Sequence, residues 1–117
     1  GQDTNEAARS WVRRIGGHPR DDAGHTIANR FGGTRQFNGP NGNLFPQDLS
    51  FNRGTMRDYD AVAAQRHAAG CDVCVHVGLN YASASQLRPQ TVTYTILYRS
   101  VGARGFNPPI VGVVPNP

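Results

Sequence analysis

The densest cluster of chemically capable side chains in this chain lies between residues 21 and 60. They come in three blocks: Asp21-Asp22-Ala23-Gly24-His25, then Asn43-Leu44-Phe45-Pro46-Gln47, then Asn52-Arg53-Gly54, followed by Arg57 and Asp60. An imidazole near neutral pH can take a proton from water, which is the task of a general base in hydrolysis, and His25 follows a glycine that lets other groups approach closely. Asn52 and Asp60 are eight residues apart, about two turns and 80° apart on a helix. Amide and carboxylate oxygens are hard ligands suited to Mg2+, which keeps most of its waters and needs one or two protein groups. A base, a hard-metal ligand and abundant arginine together point to metal-assisted phosphodiester cleavage. Taken singly, each residue also has a structural reading. Asn52 could cap a helix, Asp60 could pair with Arg57, Asp21 and Asp22 could make local turns, and His25 could be a hydrogen-bonded structural histidine.

The elements that must position these residues are partly visible in the apolar spacing. Ala7, Ala8, Trp11, Val12 and Ile15 mark one face of an N-terminal helix or docking arm, stopped by Gly16-Gly17 and Pro19. From Asp21 to Asn43 the chain is rich in Gly, Asn and Arg with little periodicity, and Phe37 to Asn43 reads as turn throughout. So long an irregular stretch in so small a chain points to function. Asn52 to Ala69 reads as a helix ended by Gly70, with Met56, Tyr59, Val62 and Ala63 as its apolar stripe. Two alternating strands follow, carried by Val73, Val75, Val77, Leu79 and Tyr81 and by Val92, Tyr94, Ile96 and Tyr98, and they form an antiparallel hairpin. The proline-rich tail holds at most an edge strand over 110–114. The expected architecture is α+β, a small antiparallel sheet packed on one main helix.

Composition narrows the partners. The 117 residues suit one domain, with an N-terminal arm over 1–20, the chemical motif over 21–70, and the hairpin and tail over 71–117. No apolar run approaches the roughly 18 residues of a membrane helix. The first residues lack the apolar stretch of a signal peptide, so either a cytosolic protein or a mature or excised domain of something longer is expected. The net charge is +4, all twelve basic residues are Arg, and the pI is near 9.7. Guanidinium matches phosphate oxygens in pairs and keeps its charge, so phosphate-bearing partners are expected. Cys71 and Cys74 form a lone C-x-x-C flanked by His67 and His76. These four could complete a tetrahedral zinc site, but on a strand Cys71 and Cys74 point to opposite faces, which favours two small buried thiols or an edge disulfide.

The ordered blocks D-x-G-H, N-x-x-P-Q and N-x-G resemble the signature of the DNA/RNA non-specific endonucleases, whose core is the ββα-metal (His-Me finger) fold. They are carried here by Asp22 to His25, Asn43 to Gln47 and Asn52 to Gly54, with Asp60 in the place of the later acid. The stretch is most similar to the compact bacterial branch found as C-terminal toxin domains. The resemblance implies that His25 is the general base and that Asn52 ligates one Mg2+, with Mn2+ as a substitute. It further implies that Asp60 holds a metal-bound water or orients the site, that Asn43 and Gln47 brace the loop and approach the substrate, and that Asp22 and Gly24 shape the turn presenting His25. The products would carry 5′-phosphates. Larger members have Arg where this chain has Ala23 and commonly Glu where it has Asp60. The transition-state arginine must then come from among Arg20, Arg30, Arg35, Arg53 and Arg57. DNA, and RNA as a further substrate, are the expected partners of a free monomer. A cognate immunity protein, acidic against this basic surface, would restrain it. Two rivals stand beside this reading: a catalytically weak, Arg-rich nucleic-acid-binding module and a structural zinc module.

Overall fold

In the computed structural model, which describes residues 1–37 and 41–117, the first element is the helix α1 (Glu6–Gly16). Asn5 caps it by accepting from the Ala8 amide at 2.9 Å. The short strands β1 (Asp22–His25) and β2 (Leu44–Gln47) pair antiparallel, with His25 opposite Leu44 and Asp22 opposite Gln47. A single 3-10 turn, Asn29–Phe31, lies between them. The turn-rich segment expected over Phe37 to Asn43 falls partly on residues 38–40, outside the described residues.

The helical region after β2 opens with a π-turn, Phe51–Thr55, and continues as α2 (Met56–Ala68). Asp48 rather than Asn52 caps its entry, its Oδ2 accepting from the Phe51 amide at 3.0 Å. Gly70 takes φ +92° just past the end of α2, where only glycine is unstrained. A three-stranded antiparallel sheet follows in the order β3 (Cys71–Asn80), β4 (Thr91–Ser100), β5 (Ile110–Pro115). The α+β expectation holds, and apolar spacing shows only the larger of the two sheets.

Two apolar clusters hold these layers. Phe45, Phe51, Met56 and Ala63 meet Val92, Tyr94 and Ile96, so α2 covers the larger sheet and β2 reaches into the same core. Ala8 and Val12 of α1 meet Ala23 and Leu44, so α1 backs the β1–β2 pair. A buried ion pair ties distant segments together: Arg88 Nε donates to Asp21 Oδ2 at 2.7 Å, and its guanidinium also binds the carbonyls of Asn116 and Pro117. The Asp21 side chain is therefore a long-range anchor, while its backbone amide closes a local turn on the His18 carbonyl at 3.2 Å.

Gly24 is where the smaller sheet is tightest. The side chain of Gln47, fully buried, lies directly over it, and a methyl built on Gly24 would overlap the Gln47 side-chain carbonyl. With Gln47 enclosed, it cannot swing aside. The substitution Gly24→Ala is expected to cost about 1–3 kcal/mol through overpacking, read as a lowered urea midpoint at unchanged m-value.

Candidate active site

The turn between β2 and α2 brings the second and third sequence blocks against the first. Asn52 sits in the π-turn and its Nδ2 donates to Asp22 Oδ2 at 2.8 Å. A carboxylate only accepts, so the amide group must face Asp22 and Asn52 Oδ1 must face away from it. Among the described residues no hydrogen bond ends on that oxygen. Arg53 completes the arrangement with a two-pronged contact, Nε to Oδ2 and the second nitrogen to Oδ1, both at 3.1 Å. Asp22 and Gly24 lie within β1 rather than in a turn, and the Asp22 carboxylate holds the side chains of Asn52 and Arg53.

His25 ends β1. Its Nε2 lies 2.7 Å from the backbone carbonyl of Gln2. A carbonyl cannot donate, so Nε2 carries the proton and Nδ1 holds the ring's lone pair in the neutral form. The N-terminal arm thus fixes the tautomer of the neutral ring. Asp60, one helical stretch beyond Asn52, is 8% exposed and accepts a short hydrogen bond from the Tyr94 hydroxyl. Burial pushes its carboxyl above the ordinary carboxylate range, opposed by that hydrogen bond and by the charges of Arg30 and His25. Burial, then the Asp60 contact, pushes the Tyr94 phenol up as well, so it stays a neutral donor. The sequence reading placed Tyr94 only in the sheet's apolar alternation; nothing local signals that its hydroxyl serves Asp60.

His25, Asn52 and Asp60 line one cavity of about 310 Å³ together with Arg30, Arg57 and Met56. Neither Arg30 nor Arg57 makes a hydrogen bond or ion pair among the described residues, so the Arg57–Asp60 pair allowed by their spacing is not formed. The other expected residues sit elsewhere. Arg53 is held by Asp22, Arg20 lines a separate cavity beside Asp48, and Arg35 is exposed with its backbone amide on Gln2. Asn43 spends its amide on the loop, accepting from the Ile27 amide and donating to the Ile27 and Thr34 carbonyls, so it braces and does not line the cavity. Gln47 has no exposed surface and cannot reach a substrate; neither of its amide atoms has a hydrogen-bond partner.

Comparisons with known proteins place the chain in a family. Residues 2–101 match the family model of the DNA/RNA non-specific endonucleases. The chain belongs to that family. This endonuclease-family chain is also similar to the probable deoxyribonuclease RhsA of Dickeya dadantii (strain 3937), 32% identical over 109 residues, which is 92% of the chain and 7% of that relative. The chain thus spans a small fraction of the curated relative that it matches. No solved structure matches it. Both matches support nuclease activity, and the family resemblance carried by the three sequence blocks is shown.

The zinc alternative fares differently. Cys74 Sγ lies 3.4 Å from His76 Nε2 on the outer face of β3, while His67 lines a cavity with Val73 and Val75. Among the described residues no three His, Cys, Asp or Glu side chains gather as a metal-binding group. A four-ligand zinc site at these residues is therefore not formed.

Proposed function

We propose that this chain is a Mg2+-dependent endonuclease that hydrolyses phosphodiester bonds of DNA, and of RNA as a second substrate, leaving 5′-phosphates. The observation that carries it is the convergence of His25, Asn52, Asp60, Arg30 and Arg57 on one cavity. In this reading β1, β2 and α2 form the ββα-metal core. The free Asn52 oxygen and the Asp60 carboxylate are a sparse, hard donor set, which fits a hydrated Mg2+, with Mn2+ as its substitute, better than a closed protein cage. The bound ion would supply neutralisation of the scissile phosphate and of the departing oxygen's charge. His25 Nδ1 takes the proton of the attacking water, while Nε2 stays anchored on Gln2 and keeps the ring aimed. Arg30 and Arg57, unpaired at the cavity wall, hold the phosphate oxygens and are the best-placed candidates for the transition-state arginine. Asp22 keeps the Asn52 oxygen turned toward the cavity, and Tyr94 keeps Asp60 in place.

The resemblance of the three blocks to the compact bacterial branch of toxin domains, together with the 7% of its relative that the chain spans, supports a toxin domain carried into a target cell by a larger protein. A cognate immunity protein with an acidic face would then restrain it in the producing cell.

A digest tests the chemistry. Supercoiled plasmid and total RNA incubated with the chain and Mg2+ should be degraded to fragments whose ends are labelled by kinase only after phosphatase treatment. A chelator should stop cleavage, and added Mg2+ or Mn2+ should restore it. Salt-sensitive binding without cleavage would replace the proposal with a nucleic-acid-binding module, and cleavage indifferent to chelator would remove the metal from it.

A further inference from the structure

We infer that the apolar cavity adjoining the candidate cleft is a base-binding subsite that takes one unstacked base of the strand being cut. The inference rests on the nuclease reading above and adds a feature of its substrate. The cavity measures about 360 Å³ and is walled by Ile27, Phe31, Ala63, His67, Val75 and Tyr94.

Its relation to the cleft suggests the occupant. Ala28 lines both cavities. The 3-10 turn places Arg30 on the cleft wall and its neighbour Phe31 on the apolar wall. Along α2, Arg57 and Asp60 belong to the cleft and Ala63 and His67 to the apolar cavity, an advance of about 4.5 Å from Asp60 to Ala63. Tyr94 joins the two, its hydroxyl on Asp60 and its residue in the apolar wall. Free cations on one side of a shared wall and an apolar slot on the other complement a ligand that is anionic at one end and flat and apolar at the other. One nucleotide has that construction, with a single sugar between its phosphate and its base.

The cavity mouth supports the same occupant. Ile27 is 41% exposed and Phe31 39% exposed, two large apolar side chains left open to water beside a site for a charged polymer. The Phe31 ring can stack a base of any identity, because every base has a π face, and Ile27 adds apolar contact beside it. Thr26 and His67 offer a few polar contacts at the wall, too few to read a sequence. The subsite therefore admits any base and requires that the base leave its stack. Single strands and frayed ends should be cut faster than intact duplex.

The test uses the 117-residue chain carrying His25→Ala, which leaves the strand uncut, with a fluorescent single strand and an all-abasic strand of the same length in Mg2+. Adding Phe31→Ala should weaken binding of the intact strand about 5- to 100-fold, leave binding of the abasic strand unchanged, and be reversed by Phe31→Trp. Ile27→Ser, on another part of the same wall, should act in the same direction and serves where Phe31→Ala lowers the melting midpoint. Unchanged binding of the intact strand, or an equal loss with the abasic strand, overturns the subsite. A parallel digest with the unsubstituted chain and with Phe31→Ala, His25 intact in both, separates the two levels. Cleavage with no dependence on Phe31 removes the subsite alone, whereas no cleavage of any strand removes the nuclease reading and the subsite with it.

Discussion

Replacing His25 with Ala should lower plasmid cleavage by about 10²- to 10⁴-fold, the range lost with a positioned general base, while strand affinity stays near that of the unsubstituted chain. The ring ends β1 at the edge of the cavity, and only its Nε2 is engaged, by the Gln2 carbonyl. Removing the ring deletes the proton acceptor but leaves Arg30, Arg57 and Asn52 in place to bind the strand. His25→Gln is the stricter comparison. It can still donate to the Gln2 carbonyl, so the arm stays docked, yet its amide is no base. Both variants should therefore lose activity together. Recovery of most activity in His25→Gln would show that the ring holds the arm and does no chemistry. An activity within tenfold in His25→Ala would assign the proton transfer to another group.

The sequence made some of this molecule legible and hid the rest for identifiable reasons. The long elements, α1, α2 and the strands β3, β4 and β5, follow from apolar spacing because each buries one face and leaves the other wet. The strands β1 and β2 do not. Each is four residues long and enclosed on both sides, so burial runs almost unbroken and no alternation exists to read. Pro46 also argues against a strand by local propensity. It is tolerated because β2 pairs on one side only, with β1. Only the family resemblance of the D-x-G-H and N-x-x-P-Q blocks pointed to this pair.

Site roles divide along the same line. Residue type and order singled out His25, Asn52 and Asp60, and the fold brings all three to one cavity. The contacts that aim them span long stretches of chain: Asp22 to Asn52 across 30 residues, Asp60 to Tyr94 across 34, Asp21 to Arg88 across 67. No window of sequence contains both partners. The arginines show the limit most plainly. Five had equal standing by composition, and only the packing of the 3-10 turn and α2 distinguishes Arg30 and Arg57 from Arg20, Arg35 and Arg53.

The contact between Asp22 and Asn52 makes possible a separation of ligand from support. Asn52→Ala removes the amide oxygen on which no hydrogen bond ends among the described residues, and cleavage should fall at least about 100-fold, with no recovery as Mg2+ is raised. Asp22→Ala leaves that oxygen present but free to rotate, because the acceptor that fixed the amide is gone. Loss of such a supporting partner should cost about 10- to 100-fold in metal affinity, so activity at low Mg2+ should drop and return as Mg2+ increases. Stability should change little in the second variant, since Arg53, released by the same substitution, is 66% exposed and water takes over its pairing. Mg2+ titrations of cleavage rate for both variants decide the matter. If Asn52→Ala stays within threefold of the unsubstituted chain, the ion is held elsewhere. If Asp22→Ala cannot be rescued, Asp22 is itself part of the reacting centre and not the brace that its geometry describes.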